Sequence, residues 1–380
     1  MKRIKSSRII SSGDILSGYV YFDRDKIVKV SADELPFDEE YDVGDSYVSP
    51  GFIDIHTHGG GGFPFEGTLE DIVGGCDFHL SPGTTSICPT ISAAPFDDMA
   101  HSVKNIAEAM DKKLTKGNIV GAHMEGPYLS LEQIGAQGAT FITPPKPEDY
   151  EPLIEKYGRY ICRWTYAPEN DKDQSFCRYL SSHSILPSAG HTNAIYSDMT
   201  SAMAAGCNLI THFYSCVSTV TRDHGFRRLG VIETGYLEDD LFVEIIADGR
   251  HLPPELIRLI YKIKGSDRIA LVTDSLALAG TKTLRGKMQS TEFIIEDGVC
   301  KLLDRSAFAG SIATADRLVR VMVKEAGVSL AEAVRMMTET PATIMNLNKG
   351  SLCEGFDADI VVFNDDISVQ SVFVMGKKII

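Results

Sequence analysis

Two histidines one residue apart, His56 and His58, close the stretch "SPGFIDIHTHGGGG" in a chain that has only ten histidines among 380 residues. Residues i and i+2 of a β-strand face the same side. A strand through Phe52-Ile53-Asp54-Ile55 therefore ends with both imidazoles side by side, the start of a metal site if further ligands arrive from elsewhere. Other apolar runs end in the same way: Glu125 closes one, His191 and His212 two more, and Asp274 another. A histidine or acid in such a place needs a partner or a task. Three or more histidines with a glutamate suit a borderline divalent cation such as zinc or iron, and disfavour calcium or magnesium, which prefer oxygen shells. A water on such a cation has its pKa brought towards neutrality, and Asp274 could take that proton and later return it to a leaving group. The chemistry these residues call for is metal-assisted hydrolysis.

The elements that must position them are legible as an alternation. Short apolar runs at Ile53–His58, Thr84–Thr90, Ile119–Glu125, Ile161–Tyr166, Ile185–His191, Leu209–His212, Phe242–Asp248 and Ile269–Asp274 read as strands. Between them lie segments such as "DDMAHSVKNIAEAMDKKL" and "PPELIRLIYKIKG", whose apolar residues recur at three- and four-residue spacing. Eight strands alternating with helices predict an α/β fold of the (β/α)8 TIM-type barrel, although a doubly wound open sheet alternates in the same manner. In a barrel the strand ends named above share one face, where active sites are built. The first fifty and last thirty residues lack helical period and read as short strands, among them Ile360–Phe363 and Val369–Met375. They predict a small β-sandwich domain built from both termini, residues 1–50 and 346–380, around a catalytic barrel over residues 51–345. The segment Thr281–Phe308 predicts a β-hairpin insertion turning at Glu296-Asp297-Gly298.

A net charge of −15 argues against a nucleic-acid partner, which would need a basic face. No apolar run reaches transmembrane length and the basic N-terminus lacks a signal-peptide core, so no membrane partner and a cytoplasmic location are expected. Eight cysteines without a CxxC pair predict no disulfide framework. His79, His101 and His183 read as ordinary surface or core histidines. His224 sits among Arg222, Arg227 and Arg228, a solvated face or a phosphate contact at the barrel mouth. His251, ahead of Pro253-Pro254, reads as a phosphate or hydroxyl contact.

With these residues in view, the chain resembles the amidohydrolase superfamily and, within it, the N-acetylglucosamine-6-phosphate deacetylases. "PGFIDIHTHG" is similar to the superfamily's first-strand signature, and "PATIMNLNKGSLCEGFDADIVVF" to its return into the small β domain. "GAHMEGPYLS", "SAGHT", "THFY", "EIIADGRH", "LVTDSLALAG" and "FAGS" resemble the deacetylases in type and order. The resemblance implies Glu125, His191 and His212 as ligands of the main metal, with His56 and His58 completing a second site that Glu125 bridges. It implies one or two divalent metals per subunit, zinc or iron first, with manganese, cobalt or nickel as alternatives. It makes Asp274 the general base and then acid that releases acetate from an acetamido sugar phosphate, N-acetyl-D-glucosamine 6-phosphate. Substrate contacts carry over to Ala136, Gln137, Ser215, Cys216, Arg222, Asp248, Gly249, Arg250, His251, Phe308, Ala309 and Gly310. Arg222 is expected to reach the neighbouring subunit's substrate, which implies a homodimer.

Two departures bear on these expectations. Ser215-Cys216 stands where the family usually has Asn-Ala, which motivates an alternative substrate such as N-acetylgalactosamine 6-phosphate or another acetamido sugar. Gln137 stands where single-metal members place a carbonyl-polarising histidine, and a second metal could replace that histidine as Lewis acid. A non-catalytic scaffold of the same fold is the remote alternative. Such a relative would be expected to lose ligands, and here every ligand position and Asp274 are present.

Overall fold

The computed structural model describes residues 1–11, 13–288 and 291–380. Eight parallel strands form the body of the molecule: β1 (Phe52–Thr57), β2 (Thr84–Ser92), β3 (Ala122–Glu125), β4 (Ile161–Tyr166), β5 (Leu186–Ala189), β6 (Leu209–Ile210), β7 (Phe242–Ile245) and β8 (Ile269–Leu271). Each pairs with the next in chain order. Beyond the end of β8 the chain bonds back to β1: Asp274 N–H donates to His56 O at 2.9 Å and His58 N–H to Ser275 O at 2.8 Å. Those bonds bring the first and last strands together, so the expected barrel forms and the open sheet does not.

Local chemistry starts and stops the helices that wrap it. In α1 (Leu69–Phe78) the Thr68 hydroxyl accepts from Asp71 N–H while the Asp71 carboxylate accepts from Thr68 N–H, a reciprocal cap. A later helix, Pro254–Lys264, begins at two prolines and ends at Gly265, with Lys262 and Lys264 in its last turn facing the negative end of its dipole. The helix Ala315–Lys324 buries Leu318, Val319 and Met322 and turns Asp316, Arg317 and Arg320 outward. These faces and the strands share one large core that includes Trp164, Phe176, Val243 and Ile257.

The two ends of the chain build a separate β-rich domain. Lys2–Ser11, Asp14–Asp23, Lys26–Ser31, Glu39–Asp42 and Tyr47–Pro50 join Ile360–Phe363, Val369–Val374 and Lys377–Lys378 in one eight-stranded sheet. The sheet folds over its own apolar core, since Phe22 near one wing packs edge-on against Phe373 near the other at 5.9 Å. Only Gly51 separates this sheet from β1, and a Cβ there would lie 2.1 Å from the Thr85 hydroxyl, so the crossing demands glycine. The insertion is larger than a hairpin. Thr291–Glu296 and Val299–Leu302 pair about the Asp297-Gly298 turn, both residues at positive φ, and Arg285–Met288 and Phe308–Gly310 extend the sheet to four strands. Gln289 and Ser290 of that segment lie outside the described residues.

Two expectations need correction. Regular strand stops short of the functional residues: β5 ends at Ala189, β6 at Ile210 and β8 at Leu271. His191, His212 and Asp274 follow in left-handed backbone, with φ of 47°, 28° and 46°. A ladder requires extended backbone, so it ends where the chain turns to aim these side chains. Strand interiors are also not uniformly apolar. Arg163 on β4 bonds to Glu244 on β7, with β5 and β6 between them in the sheet, so the two meet across the barrel lumen.

Candidate metal centre and cavity

Glu125, the last residue of β3, is the hub. His212 Nε2 lies 3.1 Å and His191 Nε2 3.3 Å from its Oε1, and His56 Nε2 also approaches that oxygen at 3.3 Å. His58 Nε2 lies 3.3 Å from Oε2. Asp274 completes the cluster, its Oδ1 3.2 Å from His58 Nε2 and 3.6 Å from His56 Nε2. All six residues proposed from sequence as ligands or proton carrier meet in one place. Five of them form two overlapping buried donor groups, His56–His58–Glu125 and Glu125–His191–His212, with the carboxylate common to both.

Each imidazole is held by its other nitrogen. Nδ1 of His191 faces Gln133 O at 2.9 Å, that of His212 faces Ser215 O at 3.0 Å, and that of His58 faces Ser92 Oγ at 3.0 Å. Nδ1 of His56 faces Glu244 Oε2 at 3.3 Å. Every Nε2 is thereby turned inward, as metal ligation requires. His56 Nε2 is buried with no group in hydrogen-bond geometry, an orphaned atom aimed into the cluster. The electrostatics ask for positive charge. Burial alone would raise Glu125, yet His56, His191 and His212 hold its carboxyl well below the usual range. Burial opposes protonating His58, but Asp274 and Glu125 push it well up. Buried histidines and a shared buried carboxylate, with a second carboxylate at the edge, are the donor set of a divalent metal.

The cluster floors a cavity of about 260 Å³. Ala136, Gln137, Ser215, Cys216, His251, Phe308, Ala309 and Gly310, named from sequence as substrate contacts, line it together with Tyr214, Met288 and Ala307. Gln137 is fully committed: its amide donates to Glu125 Oε2 at 2.7 Å and its carbonyl accepts from Ala93 N–H at 2.9 Å. His251 is braced by Asp248, whose carboxylate takes both its ring Nδ1 at 3.0 Å and its backbone N–H at 2.8 Å. Its ring lies edge-on to Phe308. Asp248, Gly249 and Arg250 themselves are not among the lining residues; they shape the turn that presents His251.

Arg222 lies outside this chain's own cavity. It lies on an exposed two-stranded hairpin, Thr221–Asp223 with Phe226–Arg228, and does not line the cavity. His224 and Arg228 of that hairpin are engaged by Asp223 at the surface.

Several supporting residues went unread. His123 is buried between Thr90 Oγ1 at 3.0 Å and Thr165 Oγ1 at 2.7 Å, with its ring against His56. Burial, and after it the charge of Arg163, hold His123 well below the usual histidine range, so it stays neutral. Glu66 and Ser92 back His58, the Glu66 carboxylate also accepting Ser92 N–H at 3.1 Å. Glu244 and Arg163 support His56. The available signal was a charged residue interrupting an apolar run, in "LFVEII" and "ICRWTY".

Comparison with known proteins agrees with this architecture. Residues 47–379 match the amidohydrolase family. The N-acetylglucosamine-6-phosphate deacetylase of Bacillus subtilis (strain 168) is 31% identical, over 98% of this chain and 96% of its own. The Mycobacterium smegmatis deacetylase mutant crystallised with N-acetyl-D-glucosamine-6-phosphate superimposes with a TM-score of 0.92 at 26% identity, covering 100% of this chain and 99% of the other. The Pasteurella multocida deacetylase does so with a TM-score of 0.92 at 28% identity, covering 99% of each chain. With its barrel, its two-ended sheet and its clustered ligands, the chain belongs to the amidohydrolase family, in the branch of the N-acetylglucosamine-6-phosphate deacetylases.

Proposed function

We propose that the protein hydrolyses the acetamide of N-acetyl-D-glucosamine 6-phosphate to D-glucosamine 6-phosphate and acetate. The observation that carries this reading is Glu125 shared between two histidine pairs, with Asp274 at their edge, on the floor of a cavity sized for a small polar substrate. Glu125, His191 and His212 would hold one divalent cation, zinc or iron, and His56 and His58 with Glu125 a second. A cation bound there supplies Lewis acidity, acidifying water and polarising a carbonyl.

The protein's own groups do the rest. Asp274 is the proton carrier: it lines the cavity, and its side chain keeps 13% exposure where its neighbours are shut off. Its backbone N–H is tied to His56 O, which fixes the carboxylate beside the cluster. Burial would raise Asp274, but His58 and His56 keep it below the usual carboxylate range and ready to accept a proton. It takes a proton from the attacking water and delivers it to the departing amine. His251, held by Asp248, is placed to contact the sugar phosphate, and Phe308 offers an apolar wall beside it. Gln137 orients Glu125 and borders the acetamide end of the cavity.

No lysine or arginine of the described residues lines the cavity, yet a phosphate calls for charge-assisted donors. We therefore propose a homodimer in which Arg222 reaches the neighbouring subunit's substrate. Phe226, on the same hairpin, is 79% exposed, an anchor of the type that subunit contacts bury. The test is acetate release from N-acetylglucosamine 6-phosphate, its galacto epimer and unphosphorylated N-acetylglucosamine, with metal quantified in the same preparation. Turnover should require metal and be fastest on the first. Metal-replete protein that releases no acetate from it would overturn the reading.

A further inference from the structure

We infer that Glu244, itself held by Arg163, is a positioning residue that sets His56 as a metal ligand, and that the His56–His58 half of the centre depends on it. The inference rests on the reading of the cluster as a two-metal site. Both side chains are fully buried, at 0% exposure. Glu244 Oε1 accepts from Arg163 Nη1, and Oε2 accepts from the backbone N–H of His212 at 3.3 Å while facing His56 Nδ1 at 3.3 Å. An ionised carboxylate only accepts. Nδ1 of His56 must therefore carry the ring proton, which leaves the lone pair on Nε2. That is the orphaned atom that meets Glu125 and Asp274.

His56 is the one ligand candidate backed this closely by a charged group. His191 and His212 donate to backbone carbonyls, and His58 meets a serine hydroxyl, with Glu66 more distant at 3.8 Å. Arg163 is in turn overdetermined. It crosses the lumen from β4 and donates to Ile55 O at 3.2 Å, Ser188 Oγ at 3.1 Å and Thr211 Oγ1 at 3.0 Å. It thus braces Glu244 and also the backbone directly before His56. A buried ion pair is a poor way to stabilise a barrel, because apolar residues of like volume do as well or better. Its place against one specific ring nitrogen assigns it a different job. A carboxylate behind an imidazole holds the ring and raises its basicity, and losing such a partner typically costs about 10–100-fold in metal affinity.

The experiment strips the full-length protein with a chelator and titrates it with Zn²⁺ in competition with a chromophoric chelator, and with Co²⁺ followed by visible absorption. Wild type is compared with Glu244→Gln and with the double variant Arg163→Met/Glu244→Gln, which leaves no buried charge unpaired. Wild type should take two equivalents. Each variant should keep one tight equivalent, with the second weakened by about 10–100-fold and its Co²⁺ absorption lost. The metal-free melting temperature of the double variant should match wild type, which separates ligand positioning from general loosening. A second equivalent bound with wild-type affinity in either variant overturns the inference, as does equal weakening of both equivalents. A wild type that takes fewer than two equivalents overturns instead the two-metal reading beneath it.

Discussion

The two ends of the cavity are built differently. At the metal end the four histidines and Glu125 are buried and held by neighbours: Glu125 by Gln137 and the histidines, His56 by Glu244, and His58 by Ser92. At the other end the wall is the four-stranded insertion that carries Phe308, which is 40% exposed, and no lysine or arginine of the described residues lines the cavity. On the function proposed above, the contrast teaches that one chain would hold the groups for bond cleavage but lack a cation for the phosphate, which Arg222 on the exposed hairpin of a second copy would supply. Ligands set in advance lower the cost of assembling the reacting groups.

The largest expected effect lies at the buried end. Asp274→Asn should keep the full complement of metal and lose turnover by at least about a thousandfold, the scale of lost acid–base catalysis with positioning; metal analysis beside a kcat measurement checks it, and retained turnover in metal-replete protein removes Asp274 from its role. A smaller and different effect is expected at the open end. Arg222→Ala should raise KM for the phosphorylated substrate by about 10–100-fold, the worth of hydrogen bonds to a charged group, with kcat nearly unchanged. Unphosphorylated N-acetylglucosamine should not feel the change. An equal shift on both sugars would place the arginine outside phosphate recognition. The smallest effect comes from salt. Raising NaCl from about 0.05 to 0.5 M shrinks the screening length several-fold, so KM for the phosphorylated sugar should rise by about threefold while metal binding at the shielded end stays constant.

The same contrast explains what the sequence made legible. His56, His58, Glu125, His191, His212 and Asp274 were readable because each is a ligand-type residue where an apolar run stops, and a barrel gathers all such places on one face. The exact course of the backbone there was not. Apolar character continues to the ends of β5 and β8, so pattern alone extends the strands through His191 and Asp274, whereas the chain has already left the ladder. Glu244 and Arg163 escaped notice for another reason. They lie on strands with two others between them and far apart in sequence, and only a closed lumen brings them into contact.

The left-handed turns at His191, His212 and Asp274 carry one more consequence. Non-glycine residues in that region cost of order 1–3 kcal/mol each, and glycine at any of the three would relieve that cost. Replacing His191, His212 or Asp274 by glycine should therefore leave the metal-free fold as stable or more stable while removing a group from the cluster, so the sturdiest version of this barrel mouth is one that has lost the centre.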